Sequence, residues 1–217
     1  MKNNKQLLYL SLVHNGDWES IDQSLDIVES ISEKMIDKKI SNFEGSFLTI
    51  NDPDYPDRLR TIDKPPFVLY YRGNIENLHK DNLFIFMNGK LKEHREVLKK
   101  YKNINKDSSK NLAFVTNDYR INIFSHISAD KNNKFLEKTI QISESPKFVN
   151  NDIERDICIA TSLSSSVFIP LVKKDKITEN LVYDSFISNK EIYTLDIDNP
   201  NYGNKDLINL GAKTLLT

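Results

Sequence analysis

The chain has 217 residues, of which 39% are hydrophobic and 28% are charged, and its mean hydropathy is −0.50. This length supports one sizeable folded domain, and apolar runs along the whole chain exclude a largely disordered protein. A net charge of −1 gives no overall attraction to nucleic acid. The single cysteine, Cys158, excludes an internal disulfide and favours a reducing compartment, and no apolar run reaches membrane-span length. We therefore expect a cytoplasmic protein with no membrane contact.

Two helices are predicted at the start of the chain. The first covers residues 5–14 and ends at Asn15-Gly16, and apolar residues at helical spacing predict a second from about Ser20 to Ile36. We expect these helices to form a short segment over residues 1–42 that packs against the main domain. The main domain then occupies residues 43–217.

In the rest of the chain, short apolar runs alternate with segments of helical spacing. Strands are predicted at 46–50, 67–71, 83–87, 112–115, 139–143, 167–169 and 191–195. Helices are predicted at 91–101, about 129–138, 152–163, after an N-cap at Thr178, and from Lys205 to Ala212. This alternation predicts an α/β fold with a Rossmann-like, mostly parallel sheet flanked by helices.

One turn in this pattern suggests a binding site. The strand at 83–87 ends at Asn88-Gly89-Lys90, which leads directly into the predicted helix at 91–101. A strand that runs through a glycine turn into a helix N-terminus is where Rossmann-type sheets hold phosphates. The residues from Lys90 to Lys110 are rich in lysine, and they form either a solvated helix face with a loop or a phosphate-facing patch.

Several motifs, in this order along the chain, resemble the DNA-processing protein A family (DprA, also called Smf). They are Tyr55-Pro56, Pro65-Pro66, Val68-Leu69-Tyr70, Arg72-Gly73-Asn74, Ile142-Ser143-Glu144, Arg155-Asp156 and the ending Gly203, Leu207-Ile208, Gly211-Ala212, with Lys205 in place of the family's asparagine. Asn88-Gly89-Lys90 stands where the family has Gly-Ser-Arg. The resemblance runs from Gly45 onward and implies the Rossmann-like fold of that family.

The chain also departs from the family pattern. Between Lys90 and Ile142 it lacks the segment that carries the S-G-x-A-x-G-I-D signature. Pro170-Leu171 replaces an acidic residue after a strand, and Ile177 to Leu181 replaces a helix start that resembles G-S-L-I-T-A. We interpret the chain as a shortened and diverged member.

No set of residues in the sequence suggests catalysis. The four histidines are too far apart for a metal site, and both a P-loop and a Gly-x-Ser-x-Gly elbow are absent. We interpret Asp52, Asp54 and Asp57 as a structural turn rather than a metal site, with the Tyr55 ring buried beside them. The apolar neighbours of Cys158 predict a buried thiol. The sequence thus predicts a binding protein, not an enzyme, with no metal or cofactor.

The resemblance implies that the chain binds single-stranded DNA and passes it to a RecA-type recombinase during natural transformation, and it implies a homodimer. On this interpretation Lys90 and Arg155 contact phosphates at one crevice, together with Asn88, Gly89 and Lys92. Two cations beside backbone N–H groups suit a phosphate backbone. The alternative for Arg155 is an ion pair with Asp152, three residues earlier on the same helix.

Two other functions remain open at this point. The crevice could hold a nucleotide or phosphosugar, in which case Asn88 and Thr116 would line it. Alternatively, the domain has lost its ligand and serves as an interaction module that pairs with itself or with a recombination protein.

Overall fold

The computed structural model describes residues 2–79, 82–87, 111–115, 139–148 and 152–214. The helices in these ranges are α1 Asn4–His14, α2 Trp18–Ser24, α3 Glu33–Ile40, α4 Asp57–Arg60, α5 Ile153–Leu163, α6 Lys176–Ile187 and α7 Asn204–Asn209. Short 3₁₀ helices span Val28–Ser30 and Ile75–His79. The strands are β1 Ser46–Thr49, β2 Val68–Gly73, β3 Asn82–Ile85, β4 Asn111–Val115, β5 Thr139–Ser143, β6 Ser166–Ile169, β7 Glu191–Thr194 and β8 Lys213–Thr214.

The eight strands form one sheet in the order β1-β2-β5-β4-β3-β6-β7-β8. The neighbours from β5 to β8 are parallel, whereas β2 is antiparallel to both β1 and β5. Counted from β3, the six parallel strands follow the order 3-2-1-4-5-6, which is that of the doubly wound nucleotide-binding fold. The predicted fold class, a Rossmann-like and mostly parallel sheet, is therefore confirmed.

The central strands are apolar because both faces of the sheet are covered. All four residues of β3 and all four of β6 are buried, and Phe84 and Phe168 are 0% exposed. Such strands appear in a sequence as continuous apolar runs rather than as alternating ones. This explains why both strands could be recognised from the sequence. Pro170 directly follows β6, where its missing N–H removes no sheet hydrogen bond.

The N-terminal helices pack on the antiparallel side of the sheet. Leu7 and Leu8 of α1 join Val68 and Tyr70 of β2 in one buried cluster. The Tyr70 hydroxyl also donates to Ser11 Oγ at 2.9 Å, and both residues are 0% exposed. The expectation that this segment packs against the main domain matches these contacts.

The Tyr70–Ser11 hydrogen bond gives a first testable prediction. Tyr70→Phe keeps the buried ring but removes the donor, so we expect the free energy of unfolding to fall by about 1 kcal/mol. Urea unfolding at equilibrium measures the change. Tyr183→Phe is the matched control, because Tyr183 is 67% exposed. Equal stabilities of the two variants would contradict the prediction.

The single helix predicted from Ser20 to Ile36 is wrong. The chain forms α2, a 3₁₀ turn and α3, and Ile31 is extended with φ −84° and ψ 129°. The extended residue interrupts the helix, and Ser32 is the N-cap of a new helix, α3. The buried position is therefore Ile36 and not the neighbouring Met35, which is 59% exposed. Tertiary packing thus outweighs an apolar spacing that was compatible with a continuous helix.

Two further predictions in the second half are corrected. Helix α6 begins one turn earlier than predicted, because the Asp175 side chain accepts from the Thr178 N–H and acts as the N-cap. Cys158 is exposed rather than buried, since α5 turns Ile159, Ala160 and Leu163 toward the sheet. The predicted helices at 91–101 and 129–138 lie outside the described residues. None of the helices in the described ranges has the length and apolar composition that a membrane-spanning helix needs.

Candidate functional site

The sheet has a topological switch point between β3 and β6. From β3 the chain continues to β4 on one side, and β6 lies against the other side of β3. In sheets of this kind, ligands bind in the crevice outside the carboxyl ends of the two strands at the switch point. The described residues beyond β3 are Phe86 and Met87, both buried, and the Phe86 N–H donates to the Phe168 carbonyl at 2.9 Å.

The predicted phosphate-binding turn begins directly after Met87. Asn88, Gly89, Lys90 and Lys92 lie outside the described residues, so their contacts with phosphate stay predictions. Phe86 and Met87, the last described residues before this turn, follow the carboxyl end of β3. The strand that precedes it ends at the carboxyl edge of the switch point, which is the edge that the sequence predicted.

Arg155 lies at the same edge of the sheet. It occupies the first turn of α5, and its side chain contacts Glu144, the residue after the end of β5. Only β4 separates β5 from β3, so the ends of these two parallel strands are about 10 Å apart. That Arg155 and Lys90 share one crevice stays a prediction, because Lys90 lies outside the described residues.

The side chain of Arg155 forms a bidentate ion pair with Glu144. Its Nε donates to Glu144 Oε2 and its Nη2 to Glu144 Oε1, each at 2.7 Å, and Nη2 also donates to the Lys64 carbonyl. The two side chains are only 18% and 13% exposed. Asp152 instead caps α5, because its Oδ1 accepts from the backbone N–H of Arg155 at 3.0 Å.

This pair changes the interpretation of Arg155. Burial raises the pKa of Glu144, and the neighbouring guanidinium acts in the opposite direction by stabilising the carboxylate. A phosphate that bound Arg155 would have to compete with a buried carboxylate that already accepts two of its hydrogen bonds. The motifs Ile142-Ser143-Glu144 and Arg155-Asp156, which the sequence shows 11 residues apart, therefore meet in a structural contact.

A cavity of about 300 Å³ lies beside this pair, between the α1–α2 turn and the start of α5. Its walls carry five carboxylates against two permanent cations: Asp17, Glu19, Glu144, Asp152 and Asp156 against Lys64 and Arg155. Glu19 pairs with Lys64, and Glu144 with Arg155. The excess of acid makes this cavity a poor phosphate site.

The α1–α2 turn fits closely against Glu144. Asn15 and Gly16 both have positive φ, at 53° and 84°, which ends α1 in the left-handed conformation. A Cβ atom on Gly16 would lie 2.1 Å from the Glu144 carbonyl oxygen. The N-terminal segment therefore lies in close contact with the residue that pairs with Arg155.

The turn rich in aspartate and proline has a structural role. Asp52 Oδ2 accepts from the Thr49 N–H at 2.6 Å and from Thr49 Oγ1 at 2.9 Å. Tyr55 is 1% exposed and its hydroxyl donates to the Pro66 carbonyl at 2.8 Å, which confirms its predicted burial. Among the described residues, no three His, Cys, Asp or Glu side chains are grouped so that they could hold a metal ion.

Sequence reasoning missed one polar residue at the carboxyl edge, Asn204. It is 0% exposed, and its Oδ1 accepts from the Val172 N–H at 3.1 Å. Its Nδ2 donates to Thr194 Oγ1 at 2.8 Å and to the Pro170 and Leu195 carbonyls at 2.9 and 3.1 Å. Asn204 thus joins the loops that follow β6 and β7. Its position beside Gly203 in the closing motif could have indicated a structural role for Asn204. The resemblance to the family drew attention to Lys205 instead, which stands in place of the family's asparagine.

Residues 46–101 match the family model described as DNA recombination-mediator protein A. The predicted resemblance to this family is confirmed. The X-ray structure of DNA processing protein A (DprA) from Streptococcus pneumoniae has 14% identity and a TM-score of 0.62, over 99% of this chain and 95% of that chain. A structure of DNA processing protein A from Helicobacter pylori, which concerns that protein's single-stranded DNA binding mode, has 14% identity and a TM-score of 0.53, over 82% of this chain and 93% of that one.

At this level of identity, the two likenesses to DprA structures establish the fold. No curated protein matches the chain. The segment that matches the DprA family model includes β1, β2 and β3 and extends past the switch point to Tyr101. It therefore contains the predicted phosphate-binding turn. Most of the region in which the sequence lacks the glycine-rich signature lies outside the described residues.

Proposed function

We propose that this chain binds single-stranded DNA, without catalysis, in the crevice outside the carboxyl ends of β3 and β6. One observation carries the proposal: the segment with the family's sequence pattern supplies the first strand of the switch point and leads directly into Asn88-Gly89-Lys90. In doubly wound sheets this is the position where backbone N–H groups and a nearby cation receive phosphate. The single-stranded DNA binding mode of the Helicobacter pylori relative supports the choice of ligand.

In this proposal Lys90 makes the principal phosphate contact, and Asn88, Gly89 and Lys92 contribute to it. The lysines that follow, up to Lys110, extend the positive track along the strand. Arg155 has a different role in this proposal. It lies at the same edge, but it reaches DNA only by exchanging Glu144 for phosphate, so its larger contribution is to hold α5 against β5.

The biological setting that we propose follows from the family alone. The chain would act in the cytoplasm as a homodimer and pass bound single strands to a RecA-type recombinase during natural transformation. The single exposed cysteine suits a reducing compartment. Light scattering tests the dimer, and a recombinase-loading assay on protein-coated DNA tests the hand-over.

Titration of a fluorescently labelled oligo-dT tests the DNA proposal. We expect binding that weakens steeply between about 50 and about 200 mM salt, because phosphate contacts release counterions. Lys90→Ala should weaken binding and reduce the slope of log K against log salt by about 1. Lys34→Ala is the matched control, because Lys34 is an exposed lysine on α3, away from the crevice. Equal affinities of these two variants would refute the role of Lys90.

The strand order also favours a second candidate, a nucleotide or phosphosugar in the same crevice. Asn88 and Thr116, which would line it, are outside the described residues. A thermal-shift screen with nucleotides separates the two proposals. A stabilising nucleotide, together with no oligo-dT binding at low salt, would favour the small ligand over DNA.

A further inference from the structure

A groove of about 420 Å³ lies between α5 and α6. Three half-buried or buried apolar side chains line it, Ile157 of α5 and Ile177 and Leu181 of α6. A fourth, Ile187 at the end of α6, is 64% exposed. Apolar surface that stays open between two helices and has polar residues around it is typical of a contact with another protein segment.

The polar residues around this groove make it acidic. Glu154 lies in the first turn of α5 and Asp184 in the third turn of α6, and both are exposed. Neither carboxylate forms an ion pair with a described residue, and the described residues that line the groove include no lysine, arginine or histidine. The groove therefore suits an apolar segment that carries positive charge.

Helix α3 has a face of the opposite character. Met35 is 59% exposed, and Lys38 and Lys39 follow it by three and four residues, so the three side chains share one face of the helix. Both lysines are exposed, and neither forms an ion pair with a described residue. A methionine side chain adapts readily to an irregular apolar surface. This face of α3 thus presents one apolar side chain between two cations.

The two faces lie on different parts of the molecule and agree in length. Helix α3 packs on α1, which packs on β1 and β2, whereas α6 packs on β7. In the sheet, β2 and β7 are five strand spacings apart, about 24 Å, so α3 does not fill the groove of its own chain. The groove extends along α5 from Glu154 to Ser162, about 12 Å, and the eight residues of α3 also span about 12 Å.

We propose that α3 of a second copy of this chain docks in the groove between α5 and α6. Met35 packs against the apolar lining, and the two lysines that follow it lie beside the two carboxylates of the rim. The contact goes beyond the proposed function and does not depend on DNA. Because α3 and the groove are different surfaces, the contact is heterologous, and its repetition joins copies head to tail. One short helix buries little area, so we expect weak association that grows with protein concentration.

Cross-linking between two different single-cysteine proteins tests the docking. In the wild type the one thiol, Cys158, is exposed and lines the groove. In Met35→Cys/Cys158→Ser the one thiol is on α3 instead. When a short bismaleimide is added to a mixture of the two, we expect about five-fold more covalent dimer than either protein gives alone, because docking raises the effective concentration of the two thiols. Mass spectrometry should identify a link between positions 35 and 158.

Ile27→Cys/Cys158→Ser is the matched control for the position of the thiol. Ile27 is 63% exposed, close to the value for Met35, and it belongs to the same N-terminal segment but not to α3. Its mixture with the wild type should give no more covalent dimer than the separate proteins. Equal yields from the two mixtures would refute the docking of α3, because the product would then report only random collisions.

Charge reversal tests which residues make the contact. Glu154→Lys/Asp184→Lys, introduced into the protein with the thiol in the groove, should lower the yield of the linked product about five-fold, because like charges then face each other. Adding Lys38→Glu/Lys39→Glu to the protein with the thiol on α3 should restore the yield. Damage to the fold of one protein could not be repaired by a substitution in the other, so this rescue is specific to direct pairing. A loss without rescue would refute the pairing of lysines with carboxylates.

The remaining outcomes separate this contact from other uses of the groove. If no link between positions 35 and 158 forms at any protein concentration, the docking is refuted, and the DNA proposal is unaffected. If the wild type alone gives an equally abundant dimer linked through Cys158 of both copies, the groove faces its own counterpart in a two-fold dimer, and the docking of α3 is again refuted.

Discussion

Replacing Arg155 with alanine is expected to lower the free energy of unfolding by about 3 to 5 kcal/mol, because it leaves the buried Glu144 carboxylate without its partner. The two side chains are 18% and 13% exposed and share two hydrogen bonds of 2.7 Å. The Lys64 carbonyl loses a donor as well. Urea unfolding of Arg155→Ala, Glu144→Ala and the double variant measures the effect. We expect the double variant to lose less stability than the sum of the two single ones.

The same variants decide what Arg155 does for DNA. If its role is to hold α5 against β5, Arg155→Lys should lose stability, because a lysine cannot reproduce the bidentate geometry, while oligo-dT affinity stays close to that of the wild type. If Arg155 contacts phosphate directly, Arg155→Ala should weaken DNA binding as much as Lys90→Ala does. If the stability losses of Arg155→Ala and Glu144→Ala add up to the loss of the double variant, the ion pair between these residues does not stabilise the carboxyl edge of the sheet.

Gly16→Ala is the second large effect that we expect, a loss of about 3 kcal/mol or more in the free energy of unfolding. Two costs combine, since φ is 84° and the new methyl group would lie 2.1 Å from the Glu144 carbonyl oxygen. Backbone atoms hold both sides of this contact, so no side chain can move aside.

Gly211→Ala is the matched control for this substitution. Gly211 also has a positive φ, 109°, but no atom of the described part of the chain lies within 4 Å of the position of an added Cβ. Gly211→Ala should therefore lower the free energy of unfolding only by the conformational cost of a positive φ, about 1 to 2 kcal/mol. If the two alanine variants unfold at the same urea concentration, the close approach of Gly16 to Glu144 does not contribute to stability.

The sheet could be predicted because burial on both faces leaves a strong signal in the sequence. The strand at 139–143 was predicted with its observed bounds, and the strands around Phe84 and Phe168 were found from their continuous apolar runs. The helix bounds were less predictable. Thr178 has the chemistry of an N-cap, but Asp175 takes that position and Thr178 is buried instead.

The contacts at the candidate site could not be predicted from the sequence because they are tertiary. The pairing of Glu144 with Arg155 spans a loop between β5 and α5, so helical spacing suggested Asp152 as the partner instead. Asn204 gave no periodic signal, since a single buried polar residue adds nothing to an apolar pattern. Lys205, which the motif comparison singled out, forms an ion pair with Asp196.

The docking of the α1–α2 turn on Glu144 bears on whether residues 1–42 can exist apart from the rest. A chain beginning at residue 43 would leave Val68, Tyr70 and Phe148 uncovered and would remove the glycine that seats against the Glu144 carbonyl. We therefore expect residues 1–42 and residues 43–217 of the intact chain to unfold together in one cooperative transition. Excising the first segment should produce aggregation rather than a smaller autonomous protein.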